Sequence, residues 1–390
     1  MAGKMVSLFR STDTGAPTLN GVAGSLITVL DACLITGYNF KTVTSINRSG
    51  QTATVYVQTG HGLPADGGPK VNISGANQSA YNGNFQYTYV DANYFTITVE
   101  GTPTTPATGS ISSSIAPLGW NKPFTGTNLA AYQSTASDST KMYWRVDDTA
   151  SQVASHLGCE LMTSITSYSN TFPSSSQNSG NPLYVIKSYT ADSVSRRWII
   201  VGDGYEVFIF SAHNYGGSEY MFATTHFGDP CSEMLSDPYG CLIYGTYNPA
   251  TSAYSDGYSY SHQLSDSLSL QQGDRAHYFA RSYLQTGRSV FAHKHGNFNL
   301  GSQYLGRGVV PYPNPADNGL HIGPVFLTDP YGIRARLRGL WQPLHTKPLG
   351  HGYLLPANQS PIGRRLFAIS NVHASTVGGE THMDIDGPWR

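Results

Sequence analysis

The sequence predicts a mainly β protein: a discontinuous β-rich host domain with one N-terminal amphipathic helix, and a small β-barrel or β-sandwich module inserted into it. Three observations predict this. Apolar residues alternate with polar ones through Ala53, Val55, Val57, through Phe85, Tyr87, Tyr89 and through Phe95, Ile97, Val99, the period of half-buried strands. Glycine-bearing pairs, Ser49-Gly50, Gly67-Gly68 and Asn82-Gly83, punctuate those runs where a tight reversal needs positive φ. Strand patterns outnumber helical ones along the whole chain.

Taken in order, the first element is a helix. Leu19, Val22, Leu26, Ile27, Leu30, Cys33 and Leu34 recur every three or four residues and stop at Gly37, a residue suited to a left-handed C-cap. Asp31 falls inside the run, which argues against a membrane anchor. The module follows, residues 41–114, with about six short strands packed together because a lone hairpin cannot hide an apolar face. Thr102-Pro103-Thr104-Thr105-Pro106 reads as an edge or linker, since proline cannot donate to a ladder. His61 next to Gly62 at a strand end reads as a turn residue rather than a catalytic one. The host domain, residues 1–40 and 115–390, resumes after the module, and a split into two lobes near Thr246 stays open.

In the host, Arg197 to Phe210 reads as a hairpin turning at Gly202-Asp203-Gly204, with a continuously apolar first arm and an alternating second arm. It is the expected core of the large domain. Residues 246–270 are rich in Ser, Tyr, Asp and Gly and are expected to form a long exposed excursion. Tyr254, Tyr258 and Tyr260 there suit a subunit interface better than sugar stacking.

Several groups invite chemistry. Asp147, Asp148 and Glu160 contain the two acids that glycoside hydrolysis requires, yet Asp-Asp-Thr after a strand is also a turn or helix-cap signal. His226 and Asp229 could serve a metal, although Gly-Asp-Pro needs no ligand to explain it. His293-Lys294-His295 sets two imidazoles on one strand face without an identifiable third ligand. Asp384-Ile385-Asp386-Gly387 has the start of a calcium loop and lacks its closing glutamate. There is no GxSxG, HExxH, Walker or dinucleotide-binding pattern. No catalytic, cofactor-binding or metal-binding residue is therefore assigned, and no cofactor is expected.

Composition narrows the partners. The 390 residues are 39% apolar but only 12% charged, against about 25% in an average domain. Ser, Thr, Asn, Gly and Tyr cover the surface instead, a composition suited to packing against other subunits because few charges need desolvating. The net charge of −1, with no basic runs, argues against nucleic acid. No stretch reaches the ~20 apolar residues of a membrane span, and no secretory leader is evident, so a soluble chain is expected. Cys33, Cys159, Cys231 and Cys241 lack zinc or redox spacing. Free thiols are expected, with a Cys231–Cys241 bridge left open.

The strings His61-Gly62-Leu63, Val71-Asn72-Ile73-Ser74-Gly75-Ala76, Tyr81-Asn82-Gly83-Asn84-Phe85 and Tyr94-Phe95-Thr96 resemble a recurrent β module of tailed-bacteriophage virion proteins. Leu30 to Tyr38 and Pro117 to Asn128, joined across the module, resemble the opening of a family of tailed-phage virion structural proteins, whose simpler members keep these two segments closer together. Met142 to Thr149, Gly158 to Thr163, His226 to Asp229, Asp237 to Cys241, Gly339 to His345, Gly363 to Ala368 and Asp386 to Arg390 are similar to the same family. Its members tend to finish on a Gly-Pro-Trp-Arg-like tail, so an intact C-terminus is expected. The resemblance implies a non-enzymatic structural component of the virion, in the tail or baseplate, made in the host cytoplasm and acting as a homo-oligomer with other virion proteins. The alternative is a receptor- or glycan-binding tail protein with a host-surface glycan as partner; a particle-borne cell-wall hydrolase is the third reading.

Overall fold

The computed structural model describes residues 5–177, 180, 182–212, 222–234, 236–246, 275–296, 312–345, 349–373 and 376–389. The architecture is mainly β, as predicted, with one short helix and four antiparallel sheets among the described residues.

The largest sheet runs through ten strands in the order Ser7–Arg10, Trp198–Gly202, Glu206–Ala212, Phe222–Gly228, Leu242–Thr246, Leu183–Ile186, Val153–Ser164, Tyr143–Asp147, Leu129–Gln133, Asn121–Gly126. Its second and third strands are the expected hairpin, paired from Trp198 with Ser211 to Gly202 with Val207. The side chains of this hairpin go alternately to two different cores. Trp198, Ile200, Val207 and Ile209 enter one; Ile199, Val201, Phe208 and Phe210 enter the other. This explains the unbroken apolar run, because a strand covered on both faces has no polar side to show.

The second core is closed by a sheet built from His293–Gly296, Ile322–Asp329, Gly332–Pro343, Thr376–Asp384, Leu366–His373 and Leu354–Leu355. Val325, Leu327, Leu337, Ile369, Met383 and Trp389 fill it from that side.

The first core is shared with the helix and with two four-stranded sheets made wholly of strands between Tyr38 and Ile115. One orders Tyr38–Thr42, Gly109–Ile115, Val71–Ala76, Gly83–Phe85; the other orders Ser45–Ser49, Thr52–Tyr56, Tyr94–Thr98, Tyr87–Tyr89. Eight strands stand where about six were expected. The additional pair, Tyr38–Thr42 with Gly109–Ile115, straddles the expected ends of the module and brings Tyr38 opposite Ile115. The alternation is confirmed: Ala53, Val55, Val57, Phe95, Ile97 and Val99 are all buried. Gly50, Gly67 and Gly83 have φ of 60°, 67° and 134°, the left-handed side that the reversals require.

The helix is shorter than the periodicity predicts. It spans Ser25–Asp31, followed by a π-helical turn Ala32–Thr36 that ends when Gly37 N–H donates to Ala32 O at 2.9 Å. Leu26, Leu30, Cys33 and Leu34 are buried as expected. Leu19 instead accepts a 2.7 Å backbone bond from Arg196, and Val22 is exposed. A long-range bridge and the left-handed Gly24 (φ 82°) thus stop the helix from extending back to Leu19.

Candidate functional site

The acidic residues singled out for chemistry are taken up in holding the fold. Asp148 is fully buried at the start of the helix, where Gly24 offers no side-chain cap. Its Oδ2 accepts from Leu26 N at 2.8 Å and Ile27 N at 3.2 Å, and its Oδ1 pairs with the buried Lys187. Lys187 Nζ donates further to Val22 O and Ala150 O. Burial raises the Asp148 carboxyl and lowers the Lys187 amine, each against the pull of the other. Asp147 closes its own turn by accepting from Thr149 N and Oγ1. Glu160 receives Arg281 in a two-pronged bond, 2.6 Å on each arm.

The paired-carboxylate geometry is not assembled. Asp147 lies opposite Ser155, and Glu160 sits five residues further along that strand. At ~3.4 Å per residue that is about 17 Å, beyond the ~5–9.5 Å that two hydrolytic carboxylates span. An odd spacing along a regular strand also sends the two to opposite faces.

His226 Nε2 lies 2.9 Å from Glu206 Oε2 in the sheet interior, and burial pushes its imidazole down to about 3. Asp229 instead accepts from Thr140 N and Oγ1, both at 2.6 Å. Asp384 binds Arg364 and the N–H groups of Asp386 and Gly387, while Asp386 holds Arg365. No group of three His, Cys, Asp or Glu side chains arranged for a metal is present among the described residues. His293 is on the strand His293–Gly296, but the side chains of Lys294 and His295 lie outside the described residues, as do Tyr254, Tyr258 and Tyr260. All four cysteines are free thiols, so the Cys231–Cys241 bridge is not formed. His61 is a turn residue: Nδ1 accepts from Leu63 N at 2.9 Å, so Nε2 donates to Asp91 O at 2.6 Å.

A concave surface lies at a junction that the sequence reading missed. The segment His61 to Lys70 lies against the edge strand Ser7–Arg10, with Leu8 N donating to Gly68 O at 3.1 Å. Arg10 grips the Asp66 carboxylate through both terminal nitrogens, and Arg365 donates to the Asp66 backbone carbonyl. Two clefts flank this contact. One, of about 780 Å³, is lined in part by Lys70, Gln86, Tyr87, Tyr89, Arg365 and Asp386. The other, of about 610 Å³, includes Arg10, Asp13, Lys41, His61, Asp66 and Tyr89. Both fall within the ~300–1,000 Å³ of small-ligand sites. Lys70 is 4% exposed and donates to Gln86 Oε1. Burial lowers its amine to about 8, and Arg365 adds to the effect. The charged forks lining these clefts are paired within the protein, Arg10 with Asp13 and Asp66 and Arg365 with Asp386. No local sequence signal marks the junction, because Arg365 meets the Asp66 carbonyl across 299 positions that only the fold brings together.

No helix among the described residues is long and apolar enough to cross a membrane. No family model and no curated protein matches this chain. Among solved structures, the phage phi92 endosialidase aligns at 12% identity over 76% of this chain and 52% of its own, with a TM-score of 0.16. This chain therefore spans about half the length of that protein, and a likeness at that score carries no argument about fold or activity.

Proposed function

We propose that this protein is a structural component of a tailed-phage virion, in the tail or baseplate, working through contacts with copies of itself and neighbouring virion proteins and without a reaction centre. The observation that carries the reading is where the family-like strings sit: they brace the scaffold. Asp148 caps the helix, Trp120 donates to Asp203 O at 2.9 Å, Gly158 leaves room for the Phe172 ring, and buried Asp237 holds buried Arg334 by two bonds of 2.7 and 2.8 Å. Contact surface is available as well: exposed Tyr331 and Ile333 project from one hairpin tip, and exposed Leu284 adjoins it through the Tyr283 N to Asp329 Oδ2 bond of 2.9 Å. The test is an amber mutation in the coding gene, grown in suppressor and non-suppressor hosts. The proposal expects tailless or baseplate-defective particles without suppression, and normal infectious particles would refute it.

A second reading, receptor or glycan binding, is favoured by the junction clefts with their tyrosines and charged forks. Saturable binding on a glycan array that is lost in a Tyr89→Ala, Arg365→Ala variant would support it, and an empty array would count against it.

A further inference from the structure

On the outer face of the second sheet, the strand Gly332–Pro343 carries Arg336 and Arg338, half-buried on the side opposite the core residues Ala335 and Leu337. Opposite it, Val325 pairs with Leu337 while the adjacent Pro324 pairs with Trp341, so Arg338, Gly339 and Leu340 form a bulge with no counterpart. In a regular strand, residues three apart point to opposite faces. The bulge turns Trp341 round beside Arg338, the re-aiming that bulges perform. Its shape is maintained from behind by the buried Trp389, whose ring lies 2.3 Å from where a Cβ on Gly339 would stand.

The result is a cleft of about 250 Å³ lined by Arg336, Arg338, Trp341, Arg364 and Asp384 among others. Arg338 Nε and Trp341 Nε1 are buried with no hydrogen-bond partner among the described residues, and Arg336 Nε reaches Glu233 only at 3.4 Å. Asp384 offsets the charge of Arg364 and makes no hydrogen bond to Arg338 or Trp341. Its Oδ2 holds Arg364 Nη1 at 2.9 Å and its Oδ1 accepts from Asp386 N and Gly387 N. Buried donors without acceptors are rare and costly in folded proteins, more so on a charged group. The Arg336 and Arg338 guanidinium groups and an indole N–H on one small concavity supply what an oxyanion would accept.

We infer that this cleft binds a single anionic group, a carboxylate, phosphate or sulfate carried by a larger ligand, with Arg338 and Trp341 as its principal donors. The site meets one junction cleft at Pro388, shares none of its charged lining residues, and does not depend on the virion reading. The experiment titrates the purified full-length chain with sodium phosphate, sodium sulfate and sodium glucuronate at low ionic strength by isothermal calorimetry. At least one anion binds saturably; glucuronate tightest identifies a carboxylated ligand, and phosphate or sulfate tightest identifies the corresponding ester. Arg338→Gln weakens binding about tenfold or more, Arg338→Lys falls between, and Arg288→Gln on the exposed surface changes nothing. Trp341→Phe removes only the indole donor and weakens binding several-fold, which decides the matter should Arg338→Gln fail to fold. Absence of saturable binding by all three anions overturns the inference, as does unchanged affinity in natively folded Arg338→Gln or Trp341→Phe.

Discussion

Replacing Asp148 by alanine removes three ties at once, and the cost can be worked from the structure. Two backbone donors at the helix start, Leu26 N and Ile27 N, lose their acceptor, and Gly24 offers no substitute; loss of a cap costs about 1 kcal/mol. Lys187, fully buried, loses its counter-charge and retains only Val22 O and Ala150 O. Breaking a buried pair from one side costs about 3–5 kcal/mol. The lower end applies here, because burial already lowers the Lys187 amine and the group can shed its proton. The sum, about 4 kcal/mol, is a large share of the ~5–15 kcal/mol that holds a typical domain together. Urea denaturation followed by tryptophan fluorescence measures it, and hydrogen exchange at Leu26 to Leu30 localises it. Adding Lys187→Met removes the stranded charge and recovers about 2–3 kcal/mol while the cap loss remains. Asp148→Ala within about 1 kcal/mol of wild type would show that this carboxylate does not brace the fold.

Acid should loosen the molecule through its buried histidines. Burial holds the His156 imidazole down at about 3, whereas an unfolded histidine titrates near 6.5. Below that value the unfolded chain takes up a proton that the folded chain refuses, so the stability present above pH 6.5 is lost as pH falls, by about 2 kcal/mol at pH 5. The urea midpoint should drop between pH 7 and 5, and less so in His156→Gln; an identical drop in that variant would contradict the assignment. Gly339→Ala drives a methyl into the Trp389 ring and should cost about 1–3 kcal/mol, read as a lower melting temperature. An unchanged melting temperature would mean that the ring has room to move. A fragment of residues 38–115, joined at its base by the Tyr38 to Ile115 pairing, should unfold cooperatively by circular dichroism when expressed alone. A fragment without cooperative unfolding would make the inserted module dependent on its host.

The strands were legible wherever one face is wet. Ala53, Val55 and Val57 alternate because their neighbours meet solvent, and the hairpin Trp198 to Phe210 was legible from its turn and its apolar length. The helix start was not, because Leu19 and Val22 satisfy the helical spacing while a backbone bond to Arg196, 177 positions away, decides their conformation. The acidic residues showed the same limit. Asp148 was legible as a cap signal, but the helix it caps lies more than a hundred residues upstream, and Lys187 carried no local sign of being its partner. The arginine cleft went unread: Arg336 and Arg338 alternate with core residues as in any half-buried strand, and the bulge that adds Trp341 exists only through pairing with Pro324 and Val325.

The most direct test is to quantify this chain by mass spectrometry in gradient-purified phage particles against proteins of known copy number. A structural component of the tail or baseplate is present at a fixed multiple of the ring symmetry in every preparation. Its absence from intact infectious particles, or an amount that varies with washing, would contradict the account.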